Sequence, residues 1–189
     1  MQSPFYGKAI KLYLGAFILL VTGIGSILAT NIVVTSSNKG QEFGQGEYQI
    51  AVCDSWVTLD LVEGATGSEG APDGYSPLTG ITVQGLDVKQ CAKTKFQIGV
   101  VDSHGNSLPL FRTDGLVRMC GSEDCLSDQV STQIVSLSID AQGNLALEPQ
   151  DQYHSLFFDS KSGSYQIRFN QPGILAKDVS RLTIQSENA

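Results

Sequence analysis

Residues 57–61 read VTLDL, a run in which apolar side chains alternate with Thr58 and Asp60. Successive side chains of a β-strand point to opposite faces of the sheet, so this period of two predicts a strand with one apolar face. The same period recurs in five further runs: Ile81 and Val83; Phe96, Ile98 and Val100; Val135, Leu137 and Ile139; Tyr165, Ile167 and Phe169; Leu182 and Ile184. Helix signals are almost absent after residue 30, so the chain is predicted to be an antiparallel all-β protein.

Short polar segments with the composition of turns connect these runs. Residues 102–106 read DSHGN, residues 140–144 read DAQGN and residues 160–164 read SKSGS, and each provides a glycine within a hairpin-length loop. The apolar face of each strand must be buried against a second layer. We therefore predict an antiparallel β-sandwich of about nine to eleven strands, preceded by one N-terminal hydrophobic helix.

An uncharged run, LYLGAFILLVTGIGSILA, occupies residues 12–29 and precedes the β pattern. A helix of this length spans roughly 27 Å, close to the hydrocarbon thickness of a bilayer. Lysines precede the run and no acidic residue occurs before Glu42, which is typical of an export segment whose N-terminal arm stays in the cytoplasm. The segment is predicted to be a signal peptide cleaved near Ala29 or a retained anchor in the cytoplasmic membrane. The predicted membrane segment includes Leu12, Phe17, Leu20 and Ala29.

The predicted organisation has three parts. Residues 1–29 form the export signal or signal anchor, residues 30–46 form an N-terminal strand or spacer, and residues 47–189 form the β-sandwich. The formal net charge is −7 for the chain and −9 after residue 29, where ten basic residues face 19 acidic ones. An acidic surface repels nucleic acid, so nucleic acid is excluded as a partner. The membrane, reached through the N-terminal helix, is the expected partner.

Four cysteines lie on the exported side of the membrane segment. An even number of cysteines in an oxidising compartment predicts disulfides. Cys120 and Cys125 bracket a polar loop short enough to close locally, which leaves Cys53 and Cys91 to pair across the sheet. The alternative is a zinc site, but a C-x4-C spacing is unusual and neither pair has a neighbouring histidine, so no metal is predicted.

No arrangement of residues predicts catalysis. The chain contains two histidines, one in a predicted turn at His104 and one at a predicted strand start at His154, where we expect a half-exposed residue. No nucleophile elbow, HExxH, P-loop or dinucleotide-binding fingerprint occurs. The protein is therefore predicted not to be an enzyme and to need no cofactor, and a hydrolase is kept as a third hypothesis because carboxylates could converge from separate strands.

Two features leave a binding function open. Glu123, Asp124 and Asp128 cluster around the small cysteine loop, where oxygen ligands could hold calcium, although a solvated acidic loop is the default expectation. Trp56 is the single tryptophan. Its indole could stack on a sugar, but its place beside Cys53 favours packing against a disulfide.

Four short sequence segments are similar to segments of a known group of proteins. They are NIVV at residues 31–34, EFGQG at 42–46 followed by Cys53 and Asp54, ITVQGLD at 81–87 followed by Cys91, and DVSRLTI at 178–184. In these segments the chain resembles small exported proteins of Gram-positive-type bacteria that have one β domain behind an export signal and no assigned activity. The resemblance implies a surface location, supports the pairing of Cys53 with Cys91, and brings no catalytic residues.

The architecture is also similar to that of surface fibres whose β-sandwich subunits insert a freed N-terminal strand into the next subunit. Cleavage near Ala29 would expose a short β-branched segment, and the candidate donated strand comprises Ile32, Val33 and Val34. The alternative is that this segment forms the domain's own first strand or its spacer from the membrane. The leading hypothesis is an exported, non-enzymatic cell-surface structural protein that self-associates into pilus-like filaments, and the alternative is a membrane-tethered module that binds glycan or calcium.

Overall fold

A computed structural model describes residues 46–50, 53, 55–120, 125 and 130–188, which all belong to one compact unit spanning residues 33–189. No helix in these described residues is long and apolar enough to cross a membrane. Three predictions fall outside the described residues: the membrane segment at 12–29, the candidate donated strand at 32–34, and the acidic residues Glu123, Asp124 and Asp128.

The described part of the chain contains eleven β-strands, which confirms the all-β class and agrees with the nine to eleven strands predicted. A single turn of 3-10 helix, Ala176–Asp178, precedes the last strand. The strands are Gly46–Ile50 (β1), Ser55–Glu63 (β2), Leu78–Gln84 (β3), Thr94–Val101 (β4), Phe111–Arg112 (β5), Ser131–Thr132 (β6), Ile134–Ile139 (β7), Leu145–Glu148 (β8), His154–Asp159 (β9), Ser164–Phe169 (β10) and Arg181–Asn188 (β11).

These strands form two main sheets and a small ribbon, and every strand pair is antiparallel. The first sheet has the order β1-β2-β3-β10-β9, the second has the order β11-β4-β7-β8, and β5 pairs with β6 alone. The arrangement is sandwich-like, as expected for strands that each carry one apolar face. In each main sheet the two outermost strands are edge strands: β1 and β9 in the first, β11 and β8 in the second.

The buried residues coincide with the predicted alternation. The core contains Val57, Leu59, Ile81, Val83, Ile167 and Phe169 from the first sheet and Phe96, Ile98, Val100, Val135, Leu137, Ile139, Leu182 and Ile184 from the second. Leu61 and Tyr165, also predicted to face inward, are partly buried against this cluster. Because the apolar side chains of both sheets join one cluster, burial of this surface is the main source of stability of the domain.

Both predicted disulfides are present. Cys53 bonds Cys91 across 38 residues of sequence, and Cys120 bonds Cys125 across five. The first connects the segment before β2 to the turn before β4, so it links the two main sheets covalently. Two disulfides point to folding in an oxidising, extracellular environment.

Two connecting turns share one hydrogen-bonded design. Asp140 accepts hydrogen bonds from the backbone N–H groups of Gln142 and Asn144 and from the side-chain amide of Asn144. Gly143 has a φ of 84°, a left-handed conformation that favours glycine over other residues. The DAQGN sequence is therefore a turn motif in which each residue type has a structural reason, and the DSHGN sequence at 102–106 repeats it.

Candidate functional site

A cleft of about 680 Å³ opens beside the 102–106 turn. It is lined by this turn, by the segment around the 3-10 helix and by the second disulfide, and it includes Asp102, His104, Lys177, Asp178, Cys120 and Cys125. It brings together acidic, basic and imidazole groups. A hydrolase, the third hypothesis, would be expected to have its active site in a cleft of this kind.

The geometry at His104 does not form a catalytic triad. The Nδ1 atom of His104 lies 3.4 Å from the hydroxyl of Ser103 and 3.8 Å from a carboxylate oxygen of Asp102. A triad needs the serine at one ring nitrogen and the acid at the other, so that the imidazole can relay a proton between them. Here both groups face the same nitrogen, and the imidazole side chain is 82% exposed, so the triad arrangement is not formed.

The carboxylate of Asp102 is hydrogen-bonded within the 102–106 turn. It accepts hydrogen bonds from the backbone N–H groups of His104 and Asn106 and from the Asn106 side chain, as Asp140 does in the second turn. The Asn106 side-chain hydrogen bond, followed by its backbone N–H, lowers the pKa of Asp102 below its ordinary value. Because the same arrangement recurs at 140–144 without a histidine, the predicted turn role of His104 is confirmed.

His154 is buried, which corrects the expected half-exposed position. It begins β9 and pairs with the inward-facing Phe169, so strand parity directs its ring into the core. Its Nδ1–H donates to the carboxylate of Asp151 at 2.7 Å, because an ionised carboxylate can only accept. The ring also stacks on Phe111, with centroids 4.9 Å apart. Its Nε2 atom is buried and has no hydrogen-bond partner within the described structure.

Arg112 on β5 forms a second buried polar centre, which was not predicted from the sequence. The side chain is 1% exposed, and its guanidinium makes a bidentate interaction with the carboxylate of Asp114. Its Nη1–H group also donates to the Sγ atom of Cys125 at 2.9 Å. The guanidinium hydrogen bond is the largest of the effects that lower the pKa of Asp114 to about 2. This centre joins the β5–β6 ribbon to the second disulfide and is best explained as a structural element.

Trp56 does not belong to the core. Val57 and Leu59 are fully buried, so Trp56 and Asp60 project from the opposite, outer face of β2, and the indole is 57% exposed. This exposure leaves the ring largely open to solvent, contrary to the expectation that it packs against the disulfide. On the same face the side-chain amide of Gln84 donates to the carboxylate of Asp60 at 2.7 Å. An aromatic ring thus lies on one sheet face with hydrogen-bonding groups.

The edge strand β9 of the first sheet carries two exposed aromatic residues. Phe157 is 48% exposed and Phe158 is 59% exposed, although they point to opposite faces of the sheet. The Arg168 guanidinium lies 4.6 Å from the centre of the Phe157 ring on the outer face, and Phe158 packs against Tyr165 on the inner face. The dipeptide FF at an edge strand was the sequence signal for this region, and it was not singled out.

Metal ligands do not converge anywhere in the described ranges: no group of three or more histidine, cysteine, aspartate or glutamate side chains is placed to hold an ion. The residues proposed for calcium lie outside those ranges. Comparison of the chain with known proteins gives no matching family model, no matching curated protein and no matching solved structure.

Proposed function

We propose that this protein is an exported, non-enzymatic structural subunit of the cell surface that self-associates through its β-sheets. The observation that supports this most directly is the aromatic edge strand β9, which presents Phe157 and Phe158 where a globular monomer normally places charge or proline. Edge strands of this kind accept a further strand from another chain. The two disulfides support folding outside the cytoplasm.

The histidine geometry also favours a structural role over catalysis. His104 is part of a turn, and His154 is enclosed between Asp151 and Phe111. Neither imidazole therefore meets a nucleophile and an acid through its two different nitrogens, as general base catalysis by a triad requires. The proposal keeps the membrane as the partner during export, through residues 12–29.

Export is tested on intact producing cells. Protease added outside the cells is expected to degrade the β domain, while a cytoplasmic marker protein survives. Mass spectrometry of the N-terminus then distinguishes a signal cleaved near Ala29 from a retained anchor. Full protection of the β domain in intact cells, with degradation only after lysis, would contradict the proposal.

Self-association is tested on the full-length protein isolated from those cells. Sedimentation velocity over a hundredfold concentration range is expected to show species larger than the monomer, and negative-stain microscopy shows whether they are filaments. A protein that stays strictly monomeric throughout would remove the structural hypothesis and leave the binding module.

The second candidate is a membrane-tethered glycan-binding module, which the exposed Trp56 favours. Sugar rings stack on exposed aromatic faces, and Asp60 and Gln84 provide polar groups on the same sheet face. In a glycan array the protein is expected to bind a defined set of sugars, and Trp56→Ala to weaken that binding about tenfold. Tyr75→Ala, which removes another exposed ring, is the control. An array with no binding would retire this candidate.

A further inference from the structure

The β9 strand differs from the two edge strands of the second sheet, β8 and β11. One of these edge strands, β8, has four residues and is followed directly by Pro149. On β11 the carbonyl oxygen of Leu182 accepts a hydrogen bond of 2.7 Å from the hydroxyl of Tyr48, so β1 covers part of that edge. Short length, proline and coverage are the devices by which proteins protect edges from pairing.

β9 is longer than β8, with six residues. Its sequence, HSLFFD, contains neither lysine nor proline, and among the described residues it pairs only with β10. Apolar side chains project from both of its faces, with Leu156 and Phe158 inward and Phe157 outward. A strand with these properties is a template for adding another strand.

We propose that the occupant of this edge is β9 of a second copy, paired antiparallel about a two-fold axis perpendicular to the sheet. Such an axis keeps inner faces with inner faces, so residues of the same parity stand opposite each other. The favoured register places Phe157 opposite Phe157 of the second copy and Leu156 opposite Phe158. The two five-stranded sheets then form one continuous ten-stranded sheet.

Charge complementarity supports this register. It places Ser155 opposite Asp159 of the second copy on the outer face, and Ser155 already stands opposite Arg168 within its own sheet. The row therefore reads Arg168, Ser155, Asp159, with a small residue between the guanidinium and the carboxylate. Hydrogen bonds from the backbone N–H of Lys161 and from Ser162 lower the pKa of Asp159, so the carboxylate remains ionised.

Shifting the second copy by two residues removes this agreement. Ser155 would then stand opposite Phe157, and Leu156 opposite its own counterpart. A polar side chain would face an aromatic one, and Asp159 would move away from the row that contains Arg168. A shift by two residues in the other direction would place Phe157 opposite Asp159. The register with Phe157 on the two-fold axis is thus the one in which apolar residues meet apolar residues and opposite charges approach.

This inference rests on the proposed function, because it identifies one contact through which the subunits associate. It is tested by cysteine cross-linking of the full-length protein. In the proposed register the Cα atoms of the two copies of residue 157 lie about 5 Å apart, within the range of a disulfide. Phe157→Cys treated with diamide, which oxidises pairs of thiols, is therefore expected to form a covalent dimer. Gln166→Cys is the matched control, because it shares the outer face one strand further in, where the two copies lie about 14 Å apart.

A second variant removes the association without a cross-link. Phe157→Lys places two like charges opposite each other on the axis and is expected to weaken dimerisation at least about 100-fold. Trp56→Lys is the matched control, since it introduces the same charge at a similarly exposed aromatic on the same sheet. Thermal unfolding of both variants verifies that the monomer fold is retained.

The outcomes separate this inference from the proposed function. Association that persists in Phe157→Lys, with no cross-link through Phe157→Cys, overturns the β9 pairing and leaves a structural subunit with another contact. In a mixture of Val33→Cys and Phe157→Cys copies, a heterologous cross-link in place of the 157–157 product overturns it in favour of a donated N-terminal strand. A wild-type protein that stays monomeric overturns both.

Discussion

Replacing Cys53 and Cys91 together by alanine is expected to lower the free energy of unfolding by about 4 kcal/mol. The bond closes a loop of 38 residues, and cross-linking a loop of that length removes roughly this much conformational entropy, as free energy, from the unfolded chain. The bond also links the beginnings of β2 and β4, so its loss releases the covalent connection between the two sheets. Urea denaturation at neutral pH measures the change in unfolding free energy. Thermal unfolding is expected to show a fall in the melting temperature of roughly 10–15 °C.

The second disulfide provides the matched control for this prediction. Cys120 and Cys125 are only five residues apart in sequence. Replacing both by alanine is therefore expected to lower the unfolding free energy by about 2 kcal/mol on the same loop-entropy relation. The two losses are compared because both follow from the same loop-length relation, and the second also includes the hydrogen bond from Arg112 to the Cys125 sulfur, which is lost with the disulfide. Equal losses would contradict the loop-entropy explanation and show that local contacts of the sulfur atoms decide the stability.

The strands with strict alternation were predictable from sequence because burial acts on every second residue. In β4, for instance, Phe96, Ile98 and Val100 are all buried, and only the inward parity is apolar over the first five residues. The same alternation determines the direction of the Trp56 side chain. Since Val57 and Leu59 face inward, the parity of β2 directs the indole outward regardless of the neighbouring Cys53.

Other features depend on partners distant in sequence and could not be predicted. The strand β5 contains two residues and shows no period, so its pairing with β6 is a property of the folded chain. Burial of Arg112 follows from the position of Asp114 and of the Cys120–Cys125 disulfide, and an isolated arginine is normally expected at the surface. His154 was misplaced because its inward direction is set by its pairing with Phe169 on β10.

The buried guanidinium of Arg112 gives the second large expected effect. Arg112→Ala removes one of the largest fully buried side chains in the described structure, together with its hydrogen bonds to Asp114 and to the Cys125 sulfur. A loss of about 3 kcal/mol in unfolding free energy is expected, of the order seen when a large core side chain is truncated. Arg112→Met fills most of the volume without a charge and is expected to recover about half of this loss.

Measuring the unfolding free energy of the same variants at several pH values distinguishes the contribution of the ion pair from the contribution of packing. The pKa of Asp114 is about 2 in the folded protein and 3.8 in its ordinary state. A lowered folded-state pKa contributes stability that is complete above the ordinary value and disappears as the pH falls toward 2. The stability difference between wild type and Arg112→Met is therefore expected to be full at pH 5 and to shrink between pH 4 and pH 2.

Lys177→Met is the control that tests whether an exposed ion pair also makes the unfolding free energy depend on pH. Lys177 pairs with Asp178 at 2.7 Å, but both side chains are about half exposed, and exposed pairs contribute little to stability. Its removal is expected to leave the unfolding curve unchanged at both pH 5 and pH 3.

If the stability difference between wild type and Arg112→Met is the same at all pH values, the guanidinium stabilises the fold only by filling space. The bidentate contact with Asp114 would then be energetically silent, and the predicted acid sensitivity would be wrong.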